Sequence, residues 1–280
     1  MPKIVIAPEW ENLLRAHRLL TVADVYGLKD DSQIIKRSDS SEVRRVILRS
    51  GDRTYTVIIK KYWATKQSQL WSGFWRGTFL ARSKIRREFE NLGRLRAWGI
   101  DAPTPVASGE ERRCRWLWRS FLITESVAEP LPLDLFIRDY LPSLPIEEGR
   151  RTRQELIHCL ADYTRRLHSH RFVHHDYFWR NIILTGKNLS HFFLIDAHKG
   201  GLWPPWAERA SRAKDLATLD APAPKCFRRT ERLRFFLRYV WHLSLTADDK
   251  KLIRLTLKIA APLRERQYRR VQRAQRITGE

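Results

Sequence analysis

Apolar positions recur along this chain with two periods. From Glu42 to Trp63 the run EVRRVILRSGDRTYTVIIKKYW holds β-branched and aromatic residues on both sides of Ser50, Gly51 and Asp52. That is the composition of two strands joined by a turn in which Gly51 supplies a positive φ. In the second strand Thr56, Ile58 and Lys60 fall on one face, so Lys60 extends from beside an apolar position. From Ser83 to Ala97 the period becomes helical: Ile85, Phe89 and Leu92 are separated by four and three residues, and Glu88 borders their stripe. Gly99 and the prolines of WGIDAPTPVASG end that helix and lead into more sheet, with strand candidates at Arg115 to Leu117 and Ser120 to Glu125. A short helix is expected earlier, from Pro8 to Leu20.

At VAEPLPLDLF the composition shifts, which places a smaller, mainly sheet lobe (residues 1–126) before a mainly helical lobe (residues 127–280). LPSLPIEEGRR reads as a loop. Beyond it Leu156, Leu160, Tyr163 and Leu167 recur by four, three and four, predicting a helix from Gln154 to Leu167 that delivers the chain to HHDYFWRNIIL, His174 to Leu184. There Asp176 and Asn181 precede an apolar run, a turn-like TGKN follows, and the strand-like HFFLID ends at Asp196. The expected fold class is therefore α+β, and no internal repeat or heptad series complicates it.

Charge narrows the partners. The 280 residues include 53 Lys and Arg against 31 Asp and Glu, a formal charge of +22, and the basic residues are spread along most of the chain. Such a field attracts nucleic acid, phospholipid headgroups or a phosphorylated substrate. The three cysteines, Cys114, Cys159 and Cys226, are isolated, forming neither a disulfide framework nor a metal-binding spacing, which favours a reducing compartment. The N-terminus carries acids early and no long apolar segment, and no stretch approaches the roughly 20 apolar residues that span a bilayer. The expectation is a cytoplasmic protein, resting at most on a membrane surface. WATKQSQLWSGFWRGTFLARSK, Trp63 to Lys84, sets Trp71, Phe74, Trp75 and Phe79 among basic residues; packing into the body, contact with lipid or sugar, and stacking on nucleotides all stay open for it.

The acid, amide and second acid suggest a chemistry. Asp176 can orient a hydroxyl and accept its proton, while Asn181 and Asp196 can offer oxygen ligands to Mg2+. Phosphoryl transfer needs this division, because one group must meet the attacking oxygen while others manage phosphate charge. Hydrolysis by paired carboxylates fits less well, with an amide intervening and no second acid pair. His174 and His175 alternate in direction and lack an acid-histidine framework for zinc, so His174 is expected to make a structural hydrogen bond, and His168 and His198 to be local packing or loop residues.

HHDYFWRNIIL followed by FLIDAH resembles the catalytic and magnesium-binding loops of the protein-kinase-like fold. Its patterns are similar in particular to HxDxxxxNIL and IDxH of the bacterial lipopolysaccharide core kinases, the Kdo/heptose kinases. VIIKKY, Val57 to Tyr62, corresponds to the segment bearing the ATP-lobe lysine, Lys60, and KIRREFENLGRLRAWGIDAPTPVASG supplies its partner Glu88 within a stretch resembling REFxxLxxLxxxGIxxP. LITES, Leu122 to Ser126, corresponds to the inter-lobe connector, with Glu125 on the nucleotide side, and RAKDLATL, Arg212 to Leu219, matches a later structural signature. The similarity spans Val43 to Leu219.

This resemblance implies a bilobal fold with a β-rich N-terminal lobe and a helical C-terminal lobe. It implies ATP held by a Lys60–Glu88 pair at the α- and β-phosphates, Asp176 as catalytic base, and Mg2+ on Asn181 and Asp196. The γ-phosphoryl group would pass to a sugar hydroxyl of the lipopolysaccharide inner core, heptose or Kdo, at the cytoplasmic face of the bacterial inner membrane; no obligate protein partner is expected. His174-His175-Asp176 departs from His-Arg-Asp, and Ala197-His198 follows Asp196 where protein kinases have Phe-Gly, which argues against activation-loop regulation. IIKRSDSSEVRRV lacks a glycine-rich loop, leaving a turn at Ser38 to Ser41, with Lys36 or Arg37, as the candidate phosphate cover. The alternatives are an aminoglycoside- or choline-type small-molecule kinase and a kinase-like binding protein without transfer. Nucleic-acid binding accounts for the charge but not for five polar residues in kinase order. The basic run from Leu257 to Arg276 is expected to be a helical surface, solvated or in peripheral contact with a membrane.

Overall fold

Alternation along successive strands builds the first sheet. The computed structural model describes residues 3–28, 33–63, 83–113 and 116–278. These divide into one unit of Met1–Ala128 with Ala197–Lys199, and a second of Glu129–Asp196 with Gly200–Glu280. The first unit holds β1 (Lys3–Ile6), β2 (Gln33–Ser38), β3 (Ser41–Ser50), β4 (Arg53–Trp63), β5 (Pro105–Arg113) and β6 (Trp116–Glu125), in an antiparallel sheet of order β1-β5-β6-β4-β3-β2. The β3–β4 turn at Gly51 and Asp52 has Gly51 at φ +54°, a left-handed conformation that glycine adopts without a Cβ penalty. The two strand candidates before Glu125 prove to be one strand, β6. Cys114, Arg115 and the aromatic positions Trp71, Phe74, Trp75 and Phe79 lie outside the described residues.

Register assigns the two faces of this sheet. Lys60 stands opposite Val43 and Leu122, and Lys61 opposite Glu42 and Phe121, so the consecutive lysines point to opposite sides. On the Lys61 face Val46, Leu48, Val57, Ile59, Phe121 and Ile123 pack against Trp10, Leu13, Leu14, Val22 and Val25 of the N-terminal segment. A Cβ on Gly109 would lie 2.2 Å from the Phe121 ring, so the close approach of that ring to β5 requires glycine. The helix expected from Pro8 to Leu20 is shorter: a 3-10 turn, Pro8–Trp10, leads into α1 (Glu11–Ala16), and α2 (Val22–Gly27) restarts behind a capping box. In that box Thr21 Oγ1 accepts from the Asp24 amide at 3.0 Å and Asp24 Oδ2 accepts from the Thr21 amide at 2.9 Å, satisfying two helix-end donors of a helix that lies beyond the expected one.

The second unit holds β7 (Pro130–Pro132), β8 (Phe172–Val173), β9 (Ile182–Thr185), β10 (Asn188–Leu194) and β11 (Gly201–Leu202), as a three-stranded sheet β10-β9-β7 and a β11-β8 pair. After α3 (Lys84–Ala97) of the first unit, its long helices are α4 (Ile146–Ser169), α5 (Pro205–Asp220), α6 (Arg229–Val240) and α7 (Ala247–Thr278). Leu156, Leu160, Tyr163 and Leu167 are all buried on α4, as their spacing predicts. The expected loop LPSLPIEEGRR instead contributes the start of this helix. Pro145 stands at its N-cap with Glu147 and Glu148 in the first turn, where acids complement the exposed amides and the dipole. A helical core forms where Ala161 of α4 meets Ala213 and Leu216 of α5, Phe236 and Tyr239 of α6 and Leu252 of α7. The basic run from Leu257 lies on α7. Among the described residues no helix is long and apolar enough to cross a membrane.

Candidate active site

In the first unit, Lys60 Nζ donates to Glu88 Oε1 at 2.8 Å, with the two side chains 13% and 3% exposed. The strand presents Lys60 away from the N-terminal segment, and α3 presents Glu88 to it. Ser83 caps α3 by accepting from the Arg86 amide at 3.1 Å. At the other end Gly99, at φ +69°, donates to the Arg96 carbonyl and Ile100 to the Leu95 carbonyl, both at 2.9 Å, a Schellman closure. Buried Ile85, Leu92 and Leu95 hold the helix, so Glu88 is drawn into the packed stripe it was expected to border.

One turn along α3, Asn91 Nδ2 donates to the carbonyl of Ala197, the residue after Asp196, at 2.8 Å. Asn91 was not singled out from the sequence; its only signal there was its place three residues after Glu88, on the same helix face. Glu125 ends β6 with its amide donating to the Thr104 carbonyl at 2.9 Å and its Oε2 accepting from Thr104 Oγ1 at 2.7 Å. The β2–β3 hairpin supplies the expected turn at Ser38 to Ser41. Its register sets Lys36 opposite Val43, on the Lys60 face, and Arg37 opposite Glu42, on the other, so only Lys36 shares a face with the Lys60–Glu88 pair.

In the second unit the His174 to Leu184 stretch runs from β8 through a loop and a 3-10 turn, Trp179–Asn181, into β9. His174 is fully buried. Its Nε2 lies 2.9 Å from the Ile195 carbonyl, and its Nδ1 lies 3.3 Å from the Asp176 amide. A carbonyl only accepts and an amide only donates, so the ring is the neutral tautomer with its proton on Nε2. Burial holds its pKa below the usual histidine value. Asn181 Nδ2 donates to the Asp176 carbonyl at 2.8 Å, and the Ile195 amide donates to the Asn181 carbonyl at 3.0 Å. Asp176, Asn181 and the strand end bearing Asp196 are thus tied through two residues, His174 and Asn181. With its Nδ2 committed, Asn181 presents Oδ1 as its oxygen donor, which fits a hard cation such as Mg2+. Among the described residues there is no cluster of three or more His, Cys, Asp or Glu that could hold a metal.

Tyr177, Phe178 and Trp179 serve packing. Tyr177 is buried with its hydroxyl 3.0 Å from Thr164 Oγ1, Trp179 meets Phe227 edge to face, and Phe178 lies under the Arg180 guanidinium, 4.3 Å from its ring centroid. Arg180 Nη2 also stands 3.7 Å from Asp176 Oδ1. His175 at φ +62° and Asp196 at φ +58° occupy left-handed conformations unusual for residues with side chains, which marks both ends of this constellation as strained.

At the His175 end the loop is held by Asp215 of α5. Fully buried, it accepts from the backbone amides of His174 and His175 at 2.7 Å each. Behind it His168 Nε2 lies 3.3 Å from Asp215 Oδ2, the Tyr239 hydroxyl lies 2.8 Å from His168 Nδ1, and Arg212 Nε donates to the Tyr239 oxygen at 2.6 Å. One assignment satisfies the chain: Arg212 donates to Tyr239, Tyr239 to His168, and His168 to Asp215. Burial pushes the Tyr239 phenol up to about 12, which keeps it a donor. Asp215 and Arg212 belong to RAKDLATL, which the sequence marked as structural without assigning either a role; His168 is a member of this buried chain rather than a loop residue.

A β-rich unit bearing a lysine–glutamate pair and a helical unit bearing an acid–amide loop define a bilobal, protein-kinase-like fold. Residues 33–235 match the Lipopolysaccharide kinase (Kdo/WaaP) family, and the chain belongs to that family. It is 27% identical over 192 residues, 66% of this chain and 70% of its relative, to the lipopolysaccharide core heptose(I) kinase WaaP of Pseudomonas aeruginosa. A solved structure of WaaP in complex with acyl carrier protein superposes with a TM-score of 0.65 at 21% identity, covering 93% of this chain and 99% of that one.

Proposed function

We propose that the protein transfers the γ-phosphoryl group of ATP to a hydroxyl of a lipopolysaccharide inner-core sugar, heptose or Kdo. The observation that carries this reading is the loop in which His174 and Asn181 tie Asp176 to the strand end preceding Asp196. In this account the Asp176 carboxylate orients the acceptor hydroxyl and takes its proton. Lys60, held by Glu88, meets the α- and β-phosphates, with Lys36 adding charge from the same sheet face and Glu125 on the nucleotide side. Asn181 Oδ1 and the Asp196 carboxylate would hold Mg2+, which when bound offsets the charge of the phosphates.

Membership of the family supports the acceptor class, and the net charge of +22 supports an anionic, lipid-linked acceptor met at the cytoplasmic face of the inner membrane. The test is transfer from labelled ATP to a panel of core lipopolysaccharides, aminoglycosides and peptides, with the phosphorylated atom mapped. Label on a core heptose or Kdo hydroxyl is expected; label on aminoglycosides or peptides alone rejects the acceptor.

A further inference from the structure

The N-terminal segment does more than cover the sheet. Tyr26 of α2 lies outside the residues that match the family, and its hydroxyl donates to the Tyr62 carbonyl at 2.6 Å, pinning α2 across β4. Beside it, on the face opposite Lys60, opens a pocket of about 410 Å³, within the range of small-molecule sites. Among the described residues Arg37, Arg44, Lys61 and Arg119 line it, with the Glu42 carboxylate between them.

That carboxylate is already taken. Arg44 Nε donates to Glu42 Oε1 and Arg44 Nη2 donates to Oε2 at 3.2 Å, the two-pronged grip that suits a planar acid. Lys61, only 4% exposed at its side chain, reaches the same group at 3.6 Å, and exposed Arg37 at 3.7 Å. Arg119 lies over the Tyr26 ring at 5.0 Å and Lys61 at 5.7 Å. Glu42 thus sits among several cations, and an ammonium buried beside a guanidinium concentrates positive charge on this face. Burial first and Arg44 second hold the Lys61 pKa below its usual value, against the pull of Glu42. Trp63 and Trp118 also line it. Flat aromatic faces beside a concentrated positive charge suit a ligand with a C–H-rich ring and a compact anion.

We propose that this pocket binds a phosphorylated sugar, its phosphate against Arg37, Arg44, Lys61 and Arg119 and its ring against the indoles of Trp63 and Trp118. The site is separate from the phosphotransfer residues, because β4 directs Lys60 and Lys61 to opposite faces, and the proposal stands whether or not the acceptor assigned above is right.

Calorimetric titration of the full chain with glucose 1-phosphate, inorganic phosphate and glucose tests it. Glucose 1-phosphate is expected to bind at least about tenfold more tightly than glucose, and more tightly than phosphate alone. The double substitution Arg37→Ala with Arg119→Ala, both outside the packed core, should weaken binding about tenfold or more at an unchanged melting temperature. Glu42→Gln, which removes the competing anion, should strengthen it. Lys60→Met combined with Glu88→Gln, and separately Asp176→Asn, should leave it as in the wild type. Equal affinity for glucose and its phosphate overturns the anion site, and phosphate binding as tightly as the sugar phosphate overturns the sugar. Binding lost in the Lys60→Met, Glu88→Gln variant and kept in the Arg37 and Arg119 double variant would move the ligand to the phosphotransfer residues and overturn the pocket.

Discussion

Asp215 Oδ2 accepts the backbone amide of His174 at 2.7 Å from a fully buried position, while its second oxygen accepts that of His175. One carboxylate therefore fixes the peptide planes that lead into Asp176. Asp215→Asn keeps the size but can offer only one acceptor oxygen to two amide donors, and its NH2 group would face one of them. Because hydrogen bonds to a buried charge contribute about 1.5–3 kcal/mol, urea unfolding should show a stability loss of that order. Turnover should fall with little change in the Michaelis constant for ATP, since Asp215 acts through the loop. Unchanged stability and turnover would show that the loop holds its shape without this anchor.

The Lys60–Glu88 pair separates function from stability. Lys60→Met leaves a carboxylate that is 3% exposed without the ammonium 2.8 Å away, and breaking a buried pair this way costs about 3–5 kcal/mol. Adding Glu88→Gln removes the stranded charge and should restore most of that loss in a double-mutant cycle. Activity should not return. A drop in kcat/KM of about a hundredfold or more is expected in both variants if Lys60 meets phosphate, and recovery of turnover along with stability would contradict its role.

Asp176→Asn should lower turnover by about 10²–10⁴-fold, the usual contribution of a positioned base, with the melting temperature nearly unchanged. Its tie to Asn181 runs through the Asp176 backbone carbonyl, so the substitution does not disturb it. Asp196→Asn should instead raise the magnesium concentration needed for half-maximal rate. A magnesium titration that superposes on wild type removes Asp196 from the cation site.

His174 makes stability depend on pH with a definite sign. Burial depresses its folded pKa, whereas the unfolded ring takes up a proton near the reference value of about 6.5. The unfolded state therefore binds more protons as pH drops. The contribution is fully present above about 6.5 and is lost as pH falls from there toward the folded pKa, by up to about 1.4 kcal/mol per pH unit. His174→Gln keeps a donor for the Ile195 carbonyl and should flatten this slope in urea unfolding between pH 7 and 5. Parallel slopes for variant and wild type would show that other groups carry the dependence.

Much of this was legible in the chain because it depends on local rules. The β3–β4 hairpin follows from Gly51 between β-branched runs, α3 from its four-three spacing and its Ser83 and Gly99 ends, and the α4 core stripe from its period. The five polar residues stood out only as an ordered series, since an isolated strand lysine or helical glutamate is most often solvated. The departures arose where local signals competed. The helix expected to reach Leu20 ends at Ala16, with Thr21 and Asp24 capping a second one, and Pro145 begins one where a proline-rich tract suggested a loop.

Sequence by itself determined the periods, the turns, the charge and the order of Lys60, Glu88, Asp176, Asn181 and Asp196, because each is a property of neighbours along the chain. Tertiary structure decided which groups are paired. Only the register of β3, β4 and β6 puts Lys60 and Lys61 on opposite faces, with Glu88 answering one and Glu42 the other. Only packing of α5 beneath the loop gives the His174 and His175 amides their acceptor, 40 and more residues away along the chain. The reason is desolvation: once water is excluded, each buried donor or charge must find its partner in three dimensions, and no spacing rule along the chain records which one it meets.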